Sequence, residues 1–468
     1  MDLTTKGRYM SMKHLLSSIA AVVSCECISA FTLTLGPPKL ATIRPYRTRL
    51  NSIAIDVSEE APRDIASFEE WASYGGIQRA DGFQLVAAEV DNSGFMDISA
   101  MTTQDIPASS PVVYVPSEMI LSANSAMQEF GGVLGEVEDL IRANGYEREL
   151  PKYYLMLKIL AEVEKGYDSP WVQFLNSLPR YFSNGASMTV FCFSVVPPLV
   201  SRLCKDERAR LKNLSLGKRG IPFLSNDTKG NEELWTWAFQ VVYTRGFDTN
   251  NGSGDYCIAP MADMFNHATE ANVELVYDEY GNCYAQTTQD VPANSPLCMS
   301  YGDPTNPSYL LSHYGFLDQS SPATFCKILP SHVSEEMKSL GYAHNTMLFY
   351  KDTGDVSEQV WDILLFMALG ETDPAVQQQF YHAHMNGDYA TKQSLHEQYY
   401  ALTATKLKDH IDSFLRDLDE LQKKGEYGGR VAPNDHPRLP LIMRHNEFVK
   451  STFLAVKSAQ GLDQMSYA

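Results

Sequence analysis

The chain has 468 residues, of which 44% are apolar and 20% are charged, and its formal net charge is -19. This composition is typical of a packed globular protein with two or three domains and excludes a disordered chain. The negative charge argues against duplex DNA or RNA as the main partner, since nucleic-acid phosphates are bound by clustered Lys and Arg. It suits a basic protein or peptide better.

The eight cysteines indicate neither a zinc site nor a disulfide scaffold. After Cys27 none of them lies in a Cys-x-x-Cys pair, and no His accompanies them at zinc-finger spacing. A disulfide scaffold would be denser and would occupy a smaller chain. We therefore predict reduced, buried thiols and no metal site.

Residues 1–55 have the features of a targeting leader. The apolar run at 15–25 is too short to span a bilayer but has the length of a signal-peptide core, and small residues at 28–30 would allow cleavage. Residues 27–55 contain four basic residues and no acidic one. This arrangement resembles the bipartite plastid leader of algae with secondary plastids. We expect a plastid location, with the secretory pathway as the alternative.

The predicted secondary structure begins near residue 68. Residues 68–74 have the pattern of a short helix that two glycines end, and residues 83–88 and 112–116 are strand-like. Helical patterns then dominate between residues 122 and 233. A further helix is predicted from Leu234 to Phe247.

The stretch from Asp255 to Asp318 departs from an ordinary core sequence. Its first apolar segment stops at the polar pair Asn266-His267. The alternating runs at 272–277 and 283–288, with a Gly-Asn dipeptide between them, predict a β-hairpin.

The C-terminal part is predicted to be helical. Apolar residues recur at steps of mostly three and four from Leu395 to Leu421, which predicts one amphipathic helix of more than twenty residues. Residues 360–369 and 439–456 are further helix candidates. By itself this pattern indicates only a helix bundle.

Three motifs in order carry a family resemblance: Asn-His at 266–267, Ser-Tyr-Gly at 300–302 and His-Tyr-Gly-Phe at 313–316. Together they resemble the C-terminal half of a SET domain in the Rubisco large-subunit methyltransferase branch of protein lysine and histidine methyltransferases. The Asp-Ile pair at 105–106, which leads into a strand ending in Val-Pro, resembles the first half. The Pro-Trp…Leu-Pro segment at 170–179 resembles the helical insert of this branch.

The resemblance implies an α+β fold. The β-rich SET core would occupy residues 70–318, with a helical insert at about 123–233, and an all-α substrate-binding lobe would follow at 325–468. The implied activity is methylation of a lysine side chain on a protein substrate, with S-adenosylmethionine as the methyl donor. We expect a monomer without nucleic-acid partner or, in its mature form, membrane association.

The resemblance also assigns residues to the site. Tyr301 would be the catalytic tyrosine, whose hydroxyl polarises the methyl group, and Arg245 would pair with the cofactor carboxylate through a charge-assisted hydrogen bond. The expected cofactor-binding residues, which include the walls of the channel, are Arg245, Asn266, His267, Tyr314 and Phe316.

One motif of the family is missing. The family has a Gly-x-Gly-Leu-x-Ala loop directly before the Asp-Ile pair, and this chain has the glycine-free residues 97–102 there. The glycines let backbone N–H groups approach the methionine end of the cofactor. Asp97 would also bring negative charge near the cofactor carboxylate, opposing Arg245. Gly94 or Gly82 would have to act instead.

Two alternatives follow. The glycine-free stretch motivates a catalytically inactive SET-fold module that only binds a protein partner. A protein-histidine methyltransferase keeps catalysis but changes the acceptor, and the width of the channel around Tyr314 would decide between the acceptors.

Overall fold

The computed structural model describes residues 55–89, 96–250, 252, 254–325, 332–343, 346–431 and 435–465. The predicted leader, apart from Ile55, lies outside the described residues, and so does Gly94. In the part of the chain that is described, no helix combines the length and apolarity needed to cross a membrane.

The strands are short and most of them belong to the region before residue 303. They are β1 (Gln78–Arg79), β2 (Phe83–Glu89), β3 (Met96–Thr102), β4 (Pro111–Val115), β5 (Leu121–Ser122), β6 (Phe247–Asp248), β7 (Tyr256–Ile258), β8 (Asn266–His267), β9 (Val273–Tyr277), β10 (Cys283–Thr287), β11 (Ser295–Pro296), β12 (Cys298–Met299), β13 (Ala323–Phe325) and β14 (Leu348–Tyr350). They form a four-stranded sheet in the order β1-β4-β10-β9, two three-stranded sheets, β11-β3-β2 and β5-β7-β6, and two pairs, β12-β8 and β13-β14.

The β9–β10 hairpin forms at the predicted turn. Gly281 has φ +81°, a left-handed conformation that glycine adopts without steric cost. Asp278 Oδ1 accepts the backbone N–H groups of Tyr280 and Asn282, each at 2.9 Å. The side chain thus satisfies turn amides that have no ladder partner.

Helices surround and interrupt the sheets. Those of the first part are α1 (Ile65–Tyr74), α2 (Ala123–Phe130), α3 (Gly135–Ala143), α4 (Leu150–Lys165), α5 (Val172–Ser177), α6 (Val190–Phe193), α7 (Pro198–Leu214), α8 (Asn226–Gly230), α9 (Glu232–Arg245) and α10 (Pro307–Tyr309), which a π-helical turn, Leu310–Tyr314, continues. Helices α2 to α8 lie at the predicted place of the insert, between β5 and α9. One hydrophobic cluster, with members from Ile55 to Met299, joins α2 to α5 and the C-terminal end of α7 to the sheets.

Helix α9 runs through this cluster and leads to the site. The side chain of Asn231 caps it by accepting the Leu234 N–H at 3.0 Å, and Trp235 and Trp237 are fully buried. The helix ends at Arg245, two residues before the predicted end, because the chain becomes extended at the next residue.

The C-terminal region is helical, with one addition to the all-α expectation. Its helices are α11 (Glu335–Ser339), α12 (Glu358–Thr372), α13 (Pro374–Met385), α14 (Tyr389–Gln398), α15 (Tyr400–Val431) and α16 (Leu439–Ala459). A second hydrophobic cluster joins them. The pair β13–β14 adds a small antiparallel sheet.

The predicted single amphipathic helix is two helices. The chain breaks at Tyr399, between α14 and α15. Leu395 and Leu407 stand on either side of this break and both belong to the second cluster. Apolar periodicity indicates burial against a common core and does not detect a break in the helix. Because both helices pack against the second cluster, the apolar pattern continues across Tyr399.

Helix α16 divides its packing between two cores. Phe448, Val449 and Phe453 belong to the second cluster. Leu439 and Ile442, at its N-terminal end, join a third cluster with insert residues that include Cys192 and Val200.

Candidate functional site

Tyr301 is held by its backbone and by its hydroxyl. It follows β12, which pairs in parallel with β8, so that Met299 lies opposite His267. Its backbone N–H donates to His267 Nδ1 at 3.0 Å. Its hydroxyl donates to the Phe265 carbonyl oxygen at 2.7 Å. The predicted Asn-His and Ser-Tyr-Gly motifs are therefore brought together.

Aromatic rings surround Tyr301. The ring centroids of Tyr314, His267 and Phe316 lie 4.9, 5.6 and 6.0 Å from that of Tyr301. The Tyr314 hydroxyl donates to the Tyr301 carbonyl at 3.3 Å. Asn266, the other residue of β8, is only partly buried. Five of the six predicted site residues therefore lie at one place.

The hydroxyl of Tyr301 stays protonated in this environment. Burial raises the pKa of Tyr301, and the positive charge of Arg245 opposes that shift. Burial raises the pKa of Tyr314 as well. Both groups are therefore neutral hydrogen-bonding partners and not bases. Arg245, the sixth predicted residue, donates to the Asp263 carbonyl, two residues before the Phe265 carbonyl that accepts the Tyr301 hydroxyl.

Arg245 and Asp263 form a buried pair with unused hydrogen-bonding capacity. Arg245 Nη1 donates to the Asp263 carbonyl at 2.7 Å and to Asp263 Oδ2 at 3.1 Å. Burial raises the pKa of Asp263, and the arginine opposes the shift. Arg245 Nε and Asp263 Oδ1 are buried without a hydrogen-bond partner among the described residues. One donor and one acceptor thus lie unused in one pair.

A second arginine, Arg63, lies near the Arg245–Asp263 pair and was not among the predicted site residues. Its Nε donates to the Ser177 carbonyl at 2.6 Å, and its Nη1 lies 3.2 Å from Asp97 Oδ1. Both Arg63 and Arg245 approach the sulfur of Met264, at 3.7 and 3.8 Å. Burial, and then Arg245, lowers the pKa of Arg63 to about 10. Its partners are distant in sequence, so no local pattern indicated its role.

The glycine-free residues 97–102 lie in β3. Gly82, one of the two glycines suggested to replace those of the family's loop, does not fit that role. β3 pairs with β2 so that Asp97 lies opposite Ala88 and Thr102 opposite Phe83. Gly82 precedes β2 and accepts the N–H of Thr103. Six residues along a strand separate it from Ala88, about 20 Å. Gly82 therefore lies at the far end of the hairpin from Asp97. What the structure provides beside Asp97 is the charge of Arg63.

The π-helical turn that presents Tyr314 is anchored to the insert. Asn184 Nδ2 donates to the His313 carbonyl at 3.1 Å, and the Gly185 N–H donates to the Ser312 carbonyl at 2.7 Å. Gly315, with φ +88°, ends the turn so close to Ser183 and Asn184 that a Cβ atom would lie 2.7 Å from their backbone atoms. The glycine of the His-Tyr-Gly-Phe motif is thus required by both conformation and space.

His313 also anchors the π-helical turn. Its Nδ1 lies 2.9 Å from Glu207 Oε1 and its Nε2 lies 2.8 Å from the Tyr243 carbonyl oxygen. Both neighbours accept hydrogen bonds, so only a doubly protonated ring satisfies both. Burial raises the pKa of Glu207, but hydrogen bonds from His313 and Arg210 outweigh that effect and lower it.

We predict that Gly315→Ala lowers the free energy of unfolding by about 2–4 kcal/mol, because it combines a left-handed conformation with a backbone clash. Chemical denaturation measures this. Gly135→Ala is the matched control, since no atom lies within 4 Å of its added Cβ, and we expect a change below about 1 kcal/mol. Equal stability of the two variants would contradict the close packing at Gly315.

The residues present fit a zwitterionic cofactor with a large aromatic part. An unused guanidinium N–H suits a carboxylate and an unused carboxylate oxygen suits an ammonium group. The aromatic cluster around Tyr301 suits an adenine ring or an alkyl chain. S-adenosylmethionine has all of these groups. Among the described residues, no group of His, Cys, Asp and Glu is arranged to hold a metal ion.

The SET domain family matches residues 98–302, which include β3, the insert and Tyr301.

Two curated relatives are actin-histidine N-methyltransferases. The one from Rattus norvegicus is 21% identical over 295 residues, which cover 60% of this chain and 47% of the relative. The one from Homo sapiens is 23% identical over 266 residues, which cover 54% and 42%. The match thus spans less than half the length of these relatives.

Solved structures share the fold over most of the chain. A SET domain of LSMT bound to lysine and AdoHcy has a TM-score of 0.56 at 16% identity and covers 86% of this chain and 93% of its own. Rubisco LSMT bound to AdoMet has a TM-score of 0.53 at 17% identity and covers 87% and 95%. At this identity the similarity shows the fold: a SET domain followed by a helical region.

Proposed function

We propose that this SET-domain protein transfers the methyl group of S-adenosylmethionine to a lysine side chain of another protein. One observation carries the proposal: the Tyr301 hydroxyl, within an aromatic cluster, donates to the Phe265 carbonyl, two residues after Asp263, and Asp263 forms a buried pair with Arg245 in which one donor and one acceptor are unused. The Arg245–Asp263 pair would bind an amino-acid zwitterion, and the Tyr301 hydroxyl would contact a reacting group beside it.

The cofactor would be held at its amino-acid end by Arg245 and Asp263. Arg245 Nε would donate to the carboxylate, and Asp263 Oδ1 would accept from the ammonium group. When bound, S-adenosylmethionine supplies a methyl group on a positively charged sulfur. The aromatic rings of Tyr314 and Phe316 would exclude water from it.

Tyr301 would orient the reacting groups without exchanging a proton. Its hydroxyl hydrogen is directed to the Phe265 carbonyl, so its oxygen lone pairs remain for a polarised methyl group or an amine N–H. Because its pKa is raised, it does not become a phenolate at neutral pH. The rate enhancement would come mainly from alignment and fixed dipoles.

Variants of Arg63 and Asp97 test the proposed binding of the amino-acid end of the cofactor. We expect Arg63→Gln to weaken S-adenosylmethionine binding by about tenfold or more, because Asp97 is then left as an unbalanced charge near the cofactor carboxylate. Calorimetric titration measures the affinity.

Asp97→Asn in the Arg63→Gln background provides the matched control. Removing the unbalanced charge should restore part of the lost affinity. If the double variant binds no better than Arg63→Gln alone, Arg63 does not act by balancing Asp97.

Lysine is the proposed acceptor and histidine the second candidate. The LSMT structure bound to lysine shares its fold with 86% of this chain, and aromatic walls suit the aliphatic stem of a lysine. The curated relatives, which match 54–60% of the chain, are histidine methyltransferases and favour the second candidate. An inactive binding module is favoured only by the glycine-free strand β3.

Two measurements on the full chain separate these functions. Titration with S-adenosylmethionine tests the cofactor site, and complete absence of binding would favour the inactive module. Transfer of a labelled methyl group into a protein extract, followed by hydrolysis to amino acids, identifies the acceptor. Label in methyllysine supports the proposal, whereas label only in methylhistidine replaces it with the second candidate.

A further inference from the structure

Asp318 contacts the histidine that supports the catalytic tyrosine. Its Oδ2 lies 3.3 Å from His267 Nε2, a buried atom that makes no hydrogen bond of good geometry among the described residues. Thr269 donates its hydroxyl to the same carboxylate oxygen. Ser320 donates its backbone N–H and its hydroxyl to Oδ1, at 2.8 and 2.6 Å. The carboxylate is therefore oriented from two sides.

The contacts of His267 require one tautomer. Its Nδ1 accepts the Tyr301 backbone N–H at 3.0 Å, so Nδ1 carries no hydrogen in that arrangement. In a neutral imidazole the hydrogen must then be on Nε2, which faces Asp318 Oδ2 at 3.3 Å. A carboxylate at this position selects the tautomer that allows the Tyr301 contact.

We propose that Asp318 is a positioning residue for Tyr301: it fixes His267 as the Nε2–H tautomer, which accepts the Tyr301 N–H and holds the tyrosine hydroxyl in place. This inference deepens the proposed function and rests on it for its kinetic consequence. Its structural part, the tautomer of His267, is independent of any activity.

The charges around His267 set the direction of its pH response. Among the described residues, Asp318 is the charged group whose field acts on His267, and the rings of Tyr301 and Phe316 pack against the imidazole. Burial lowers the pKa of His267, while Asp318 opposes the shift. His267 is therefore neutral at neutral pH. Acid places a hydrogen on Nδ1, opposite the Tyr301 N–H, so the arrangement is lost as pH falls.

Asp318→Asn is the sharpest variant. The Ser320 N–H would hydrogen-bond to the oxygen of the new amide at the position that Asp318 Oδ1 occupies. The amide NH₂ group would then take the position of Oδ2 and face His267 Nε2. An N–H donor there selects the Nδ1–H tautomer, which opposes the Tyr301 N–H. Asp318→Ala removes the acceptor without placing a donor. We therefore expect a larger effect from the isosteric Asn variant than from Ala.

The test combines ring ¹⁵N NMR of the full chain with turnover. We expect His267 to be the Nε2–H tautomer in the parent protein and the Nδ1–H tautomer in Asp318→Asn. We expect kcat to fall by about tenfold or more, with little change in cofactor affinity. Thermal unfolding checks that both variants fold.

Each outcome decides the proposal. An Nδ1–H tautomer in the parent protein overturns it, and so does Asp318→Asn with unchanged tautomer and unchanged kcat. If the chain shows no methyl transfer at all, the proposed function fails. The tautomer, together with the chemical shift of the Tyr301 amide, then still decides whether Asp318 positions that residue.

Discussion

Tyr301→Phe is expected to lower the rate of methyl transfer by about a hundredfold or more. The variant lacks the oxygen that would polarise the methyl group and orient the amine, and removing one such preorganised group costs about this much in other enzymes. The fold loses a single hydrogen bond, to the Phe265 carbonyl, which corresponds to about 1 kcal/mol. A single-turnover assay with labelled S-adenosylmethionine measures the rate, and thermal unfolding measures the stability.

Tyr314→Phe is the matched control for this variant. It also removes one hydroxyl from the aromatic cluster, but that hydroxyl makes a longer hydrogen bond, 3.3 Å, to the Tyr301 carbonyl. We expect a smaller loss of rate than in Tyr301→Phe. Wild-type turnover in Tyr301→Phe would remove Tyr301 from the catalytic role.

Arg245→Ala is expected to weaken S-adenosylmethionine binding by about a hundredfold or more. The loss would combine the proposed charge-assisted hydrogen bond to the cofactor carboxylate with the neutralising charge for Asp263, and about 2.7 kcal/mol corresponds to a hundredfold. The affinity for a protein substrate should change less. Calorimetric titration of each ligand separates the two effects.

Stability has to be controlled in this experiment, because Arg245→Ala leaves Asp263 buried without its ion pair. Breaking a buried pair in this way costs about 3–5 kcal/mol. Adding Asp263→Asn should recover stability but not cofactor affinity. Arg438→Ala removes another buried arginine, which donates to the Phe182 carbonyl, and should leave cofactor affinity unchanged. Unchanged affinity in Arg245→Ala would make Arg245 purely structural.

The predicted site residues that the structure brings together around Tyr301 come from one stretch of the chain. Asn266, His267, Tyr301, Tyr314 and Phe316 lie within about fifty residues, and each belongs to a short motif. Their spacing is set by local hairpin and turn geometry, which a sequence pattern expresses. The SET fold could therefore be predicted from this stretch before any contact was known.

Two residues were missed: Arg63, whose partners are distant in the chain, and Asp318, which lies beside the predicted motifs but outside them. Arg63 pairs with Asp97 and packs against Met264, 201 residues away. Asp318 approaches His267 and accepts a hydrogen bond from Thr269, 49 residues earlier in the chain. Neither pairing has a local pattern. The plastid location and the domain boundaries remain predictions.

The packing of α16 has a consequence for the synthesis of the protein. Asn446 donates to the Val195 carbonyl, 251 residues earlier, and Arg438 reaches Phe182, 256 residues earlier. While the chain grows, the apolar face of the insert that Leu439 and Ile442 later cover has no partner. Contacts of such sequence separation form slowly, and uncovered apolar surface promotes aggregation. Until α16 has been synthesised, this face of the insert therefore lacks the cover that it has in the folded chain.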